Sequence, residues 1–179
     1  ISSMVARGNV DEAMKLWVRM DAAGYLTNRV SLSKIMNKVA TSGKPISSTS
    51  IALVDKIHSM MVANLWHNSP GFYVHYMSVL RQYLLWTCKS IDDVNGALQR
   101  VTTAWSQVSP QLGPVGVSIQ PSHQHLRALR AQCFSAAEAV CRNIPGKEAT
   151  EMTEQLANES KEACNVLLQT RSINSGSMN

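Results

Sequence analysis

The amino-acid sequence predicts an all-α protein: a bundle of about five helices followed, after a Pro/Gly-rich connection, by a C-terminal helical hairpin. Three observations lead there. Apolar residues recur at spacings of three and four from one end to the other, the period of a helix that buries one face. Alternation of period two, which a half-buried strand needs, is nearly absent. Helix breakers fall between the apolar stripes and concentrate between residues 109 and 121.

Taken in order, seven helices are readable. The first spans Val10 to Ala23, with Asn9 as N-cap, Glu12 three residues on and Gly24 as terminator; Ala13, Leu16, Trp17 and Met20 form its stripe. The second, Arg29 to Thr41, buries Leu32, Ile35, Met36 and Val39 and stops at Gly43 and Pro45. A Ser/Thr run, Ser47 to Ser50, caps a third. Its apolar residues, from Ile51 through Leu65 and Trp66, wrap more than half the circumference and predict a central position. Ser69 and Pro70 open the fourth, because proline at the first helical position gives up only an amide that lacks a partner there. Phe72, Tyr76, Val79, Leu80, Tyr83 and Trp86 line it.

Ser90, with Asp92 and Asp93 behind it, caps the fifth helix and sets carboxylates against the positive end of the helix dipole. Ile91, Val94, Leu98, Val101, Trp105 and Val108 then repeat as a seam that packs along a neighbouring helix. Pro110, Gly113, Pro114, Gly116 and Pro121 interrupt helix, leaving at most a short extended piece at Val117 to Ile119. After them Ser122 caps a sixth helix with Leu126, Leu129, Cys133, Ala137 and Val140 inward, closed by Pro145 and Gly146. The seventh, Lys147 to Thr170, turns Met152, Leu156, Ala163 and Leu167 inward, and the polar tail Arg171 to Asn179 is expected to be loose. The domain plan is thus a bundle over residues 1–108, a connection over 109–121, and a hairpin with its tail over 122–179. Whether the hairpin docks on the same core or reaches a neighbour stays open at this point.

Composition narrows the functional classes. Of 179 residues, 45% are apolar and only 16% charged, a globular balance that leaves surface free for protein contacts. No apolar stretch approaches the ~20 residues that a membrane span needs, and no signal-peptide pattern opens the chain, so no membrane partner is expected. The chain begins at Ile1, not at a methionine, which points to a trimmed or processed polypeptide. Cys88, Cys133, Cys141 and Cys164 lie within helical segments without the spacing of a disulfide framework, so reduced thiols and an intracellular or virion setting are expected.

Charge is segregated. Between Ala22 and Ser90, seven cations (Arg29, Lys34, Lys38, Lys44, Lys56, Arg81 and Lys89) face the single acid Asp55. Arg100, Arg127 and Arg130 follow without any acid between Val94 and Ala137. From Glu138 to Glu162 the sign reverses, with six carboxylates against Arg142, Lys147 and Lys161. A basic body with an acidic terminal helix suits an anionic ligand such as RNA, or head-to-tail contact between copies. The candidate nucleic-acid-binding residues are Arg29, Lys34, Lys38, Lys44, Arg81, Arg100, Arg127 and Arg130.

Other motifs have ordinary structural explanations. His123 and His125 could share a metal only on a non-helical backbone, and no Glu or Cys stands at ligand spacing, so no metal is expected. His58, His67 and His75 sit singly among apolar neighbours as packing residues. Asp92 and Asp93 read as a helix start before they read as a catalytic pair. Gly113 to Gly116 lacks the lysine and the strand-to-helix setting of a phosphate loop. Trp17, Trp66, Trp86 and Trp105 fall on inward stripes and read as core. Cys133 and Cys164 have no activating neighbour in sequence. No cofactor, small-molecule substrate or catalytic residue is indicated, and an enzyme ranks last.

Two local resemblances add to this reading. The stretch GNVDEAMKLWVRMDAAGYLTNRVSLSKIM, Gly8 to Met36, resembles a single pentatricopeptide-type helix hairpin, which implies paired helices about the Gly24 turn; no second copy follows Gly43. The stretch EATEMTEQLANESKEACNVLL, Glu148 to Leu168, is similar to the late helices of retroviral-type capsid C-terminal domains, although the glycine and glutamate of their major homology motif are missing. Together with the low charge and the absence of readable chemistry, these features lead to the expectation of a structural or assembly protein. It would be a viral coat or nucleocapsid-like subunit that self-associates and takes RNA on its basic surface. The alternative expectation is a monomeric RNA-binding or protein adaptor module that uses the second helix.

Overall fold

The computed structural model describes residues 1–179 except 26–27, 44, 67–68, 113–120 and 177–179, and except the side chains of Asp21 and of residues 167–176. Lys44, His67, the piece at Val117 to Ile119 and the inward position of Leu167 therefore lie outside the described residues. Among the described residues the chain forms eight α-helices and no strand. They are α1 (Ser2–Ala6), α2 (Val10–Ala22), α3 (Arg29–Ala40), α4 (Ser48–Ala63), α5 (Pro70–Trp86), α6 (Ile91–Val108), α7 (Pro121–Cys141) and α8 (Lys147–Gly176), with one 3-10 turn at Ser109–Gln111. The all-α class read from the apolar spacing is the class observed.

Local chemistry sets most helix ends. Asn28 and Ser47 accept the amides of Ser31 and Ser50 at the starts of α3 and α4. Ser90 and Asp93 form a reciprocal capping box on α6: the Asp93 amide donates to Ser90 Oγ at 3.2 Å, and the Ser90 amide donates to Asp93 Oδ2 at 3.0 Å. At the other ends, the chain after α2 turns through Gly24 at φ 72°, so that the Tyr25 amide reaches back to the Met20 carbonyl. The same turn closes α4, but there Leu65 takes the left-handed position at φ 56°, while the Trp66 amide reaches the Met61 carbonyl.

α5 is the hub, packing on α3, α4, α6 and α7; α7 in turn carries α8. α4, for which the apolar wrap predicts a central place, buries seven residues and packs on α2, α3 and α5. α7 buries Leu126, Cys133, Phe134 and Ala137 in the same core as Tyr73, Met77 and Leu80 of α5, so the hairpin docks on the bundle. A second face of α7 meets α8 through small groups: Ala131 and Ala149 are buried outside that core, and the Ser135 and Ser160 hydroxyls share a hydrogen bond of 2.7 Å.

Polar ties lock the layers. Gln82 of α5 donates to the Ala40 carbonyl at the end of α3. Gln107 of α6 takes hydrogen bonds from Tyr73 at 3.0 Å and His58 at 2.9 Å, and His58 stacks on Tyr76 with ring centroids 4.5 Å apart. Arg100 of α6 clamps Asp55 of α4, its Nε 2.9 Å from Oδ2, and Tyr76 donates to the same carboxylate.

Several expectations need correction. The short α1 precedes the first expected helix; its five residues hold too little periodicity to read, and Val5 inserts fully into the core. Leu65 is 75% exposed and Trp86 63% exposed; Leu65 lies past the end of α4 and Trp86 is the last residue of α5. Leu16 and Met20 are half-buried, since α2 offers only Ala13 and Trp17 fully to the core. Ser122 lies inside α7, which starts at Pro121, as a proline at the first helical position permits. The tail expected to be loose is helical to Gly176, an extension of α8 that costs little once the helix is nucleated.

Candidate interaction surfaces

The seven described candidate nucleic-acid residues do not form one patch. Arg29, Lys34 and Lys38 are exposed on α3, and no carboxylate among the described residues pairs with them. Lys34 and Lys38 are four apart, one turn along a single face, and Val30, 60% exposed, extends that stripe. The other described candidates are turned to internal work. Arg100 holds Asp55 and the Gly96 carbonyl. Arg127 is 7% exposed, too deep for a phosphate to reach without unpacking α7. Arg130 lies between two rings, its guanidinium carbon 4.8 Å from the Trp105 centroid and 5.2 Å from that of Phe134. Burial draws its pKa down, and Glu159 and Glu162 pull the other way. Arg81 is half-buried on α5, close enough to act on Cys133 of α7.

Trp105 is thus only partly buried against the core, with Arg130 on its ring, and the reason lies in how the α6 seam divides. Val94, Val101 and Val108 are fully buried, with Ala97 and Ala104 beside them. Ile91, Leu98 and Trp105, the other column at seven-residue spacing, are only partly covered. Ile91 and Leu98 form one wall of an open groove of about 500 Å³ between α6 and α8. Its floor is apolar, with Phe134, Met152 and Leu156. Its outer rim on α8 is acidic, with Glu148, Glu151 and Glu159, while the α6 side offers the neutral Asn95, Gln99 and Thr102.

From Lys147 to Val166, α8 carries five glutamates against two lysines. Lys147 reaches Glu151 at 3.5 Å, an exposed pair that water and salt largely screen. The acidic run was legible in sequence; the groove was not, because the spacing of α6 shows a seam but not that half of it lacks a partner.

Burial raises the thiol of Cys88 to about 11 and that of Cys133 to about 12, far from thiolates at neutral pH, and raises Cys141 as well. Cys164 is exposed. His123 and His125 both stand on helical backbone, which turns them roughly 200° apart and denies them a shared ion. Among the described residues no three His, Cys, Asp or Glu side chains converge as a metal site, and no helix is long and apolar enough to cross a membrane.

The chain matches no protein family, no curated protein and no solved structure. Its surfaces and their charges are what bear on function.

Proposed function

We propose that this chain is a structural subunit of the coat or nucleocapsid kind, which associates with copies of itself inside a cell or a virion. One observation carries the reading. α3 packs on α1, α4 and α5, while α8 packs on α7, so the exposed cations of α3 and the carboxylates of α8 stand at the two ends of the packing order α3, α5, α7, α8. Opposite charges held apart within one molecule attract between molecules. The likeness of residues 148–168 to late capsid helices points the same way.

A second reading rests on the same α3 face. Arg29, Lys34 and Lys38, exposed on a helix with no acid in it, would serve a monomeric module that meets RNA phosphates. Sedimentation or light scattering at about 0.05 M and 0.5 M salt, with and without RNA, separates the two. Assembly predicts species above monomer at low salt without RNA, dissolving at high salt. A monomer at all protein concentrations that binds RNA in a salt-sensitive way would replace the first reading with the second.

A further inference from the structure

We propose that the groove between α6 and α8 is the docking site for the basic face of α3 from a second copy of this chain; the inference rests on the self-association reading and supplies its contact. The groove is built to take a helix. Ile91 and Leu98, seven residues apart on its α6 wall, have the spacing of a seam that meets a helix lying alongside, and within the chain they are left partly uncovered.

The charge and shape of α3 fit it. The stripe Val30, Lys34, Lys38 presents one apolar residue and two lysines on successive turns. Val30 matches the apolar wall at Leu98 and the floor at Met152, and the lysines match the glutamate rim. Arg29 to Lys38 spans about 14 Å of helix and Glu148 to Glu159 about 16 Å, so the charged stretches are of comparable length. The neutral α6 wall places no cation against the incoming lysines; Arg130 is held back between Trp105 and Phe134, and Lys147 is engaged with Glu151.

Charge reversal tests the pairing. Lys34→Glu with Lys38→Glu should abolish species above monomer, and so should Glu151→Lys with Glu159→Lys. The chain carrying all four changes should associate again, since the swapped charges still face each other. Circular dichroism checks that each variant stays helical. Should a double variant misfold, Thr102→Arg on the exposed α6 wall blocks the groove by size and charge and should likewise leave a monomer. A wild-type chain that associates while the groove variants associate equally well overturns the groove and leaves self-association standing, and so does a fourfold variant that stays monomeric. A wild-type monomer overturns both, and if its α3 cations bind RNA that face belongs to phosphate.

Discussion

Leu65 stands alone among the described residues as a side chain other than glycine in the left-handed region, at φ 56°. An L-residue there costs roughly 1–2 kcal/mol, while glycine adds some unfolded-state entropy in exchange. Since Leu65 is mostly exposed and packs little, Leu65→Gly should raise stability by about 0.5–1 kcal/mol, read as a higher urea midpoint at unchanged slope. A lower midpoint would show that Leu65 contributes contacts worth more than its backbone strain. Asp93 makes a second prediction. The amides of Lys89 and Ser90 and the Ser90 hydroxyl all donate to it, and they hold its carboxyl below the usual range. A depressed pKa means that its stabilisation is present above the unfolded value near pH ~4 and is lost as pH falls below it. Asp93→Ala should therefore lose up to about 1 kcal/mol at neutral pH and show a shallower stability loss between neutrality and pH ~3. Equal acid sensitivity in the variant and the wild type would count against this role. The caps at Ser47 and Ser90 were legible because side chain and partner lie three residues apart. The exposure of Trp86 was not, because its stripe position is sound and only the length of the neighbouring helices decides whether anything covers it.

At the scale of elements, the contact between α7 and α8 depends on small side chains. Ala131 is buried on one side of it, and one helical turn on, Ser135 meets Ser160. Ala131→Leu should wedge the helices apart and cost about 1–3 kcal/mol, measured by denaturant unfolding, with the cost falling on the hairpin first in hydrogen exchange. Uniform loss of protection across α5 and α8 would contradict the idea that this face is a separate layer. α8 also outlasts its partner, with 30 residues against the 21 of α7. Helix type and most boundaries followed from periodicity and breakers. The division of the α6 seam did not, since Ile91, Leu98 and Trp105 are as apolar and as regularly spaced as Val94, Val101 and Val108. Only the position of α8, which leans on α7 and leaves the groove open, tells the two columns apart.

For the molecule as a whole, the connection at residues 109–121 divides the sequence more sharply than it divides the core. Leu112, within it, is buried, and Cys133 of α7 points its thiol at the Met77 carbonyl of α5, 3.7 Å away. Ending the chain after Leu112 would bare the side of α5 that α7 covers. The shortened protein should bind a hydrophobic dye and lose cooperative unfolding; a sharp transition with little dye binding would instead identify residues 1–112 as self-sufficient. Which helix neighbours which was the part that the sequence concealed, because periodicity names the buried face of an element without naming what lies against it.

The row α3, α5, α7, α8 gives the chain two unlike ends. A two-fold pair joins identical patches, and it could not satisfy both ends at once when they lie on opposite sides of the fold. Under the proposed pairing, each contact of one end with the other would leave a free pair of ends, so growth would continue unless the turn from one copy to the next closed a ring. The angle repeated at that single joint then decides between a circle of fixed number and a helical filament.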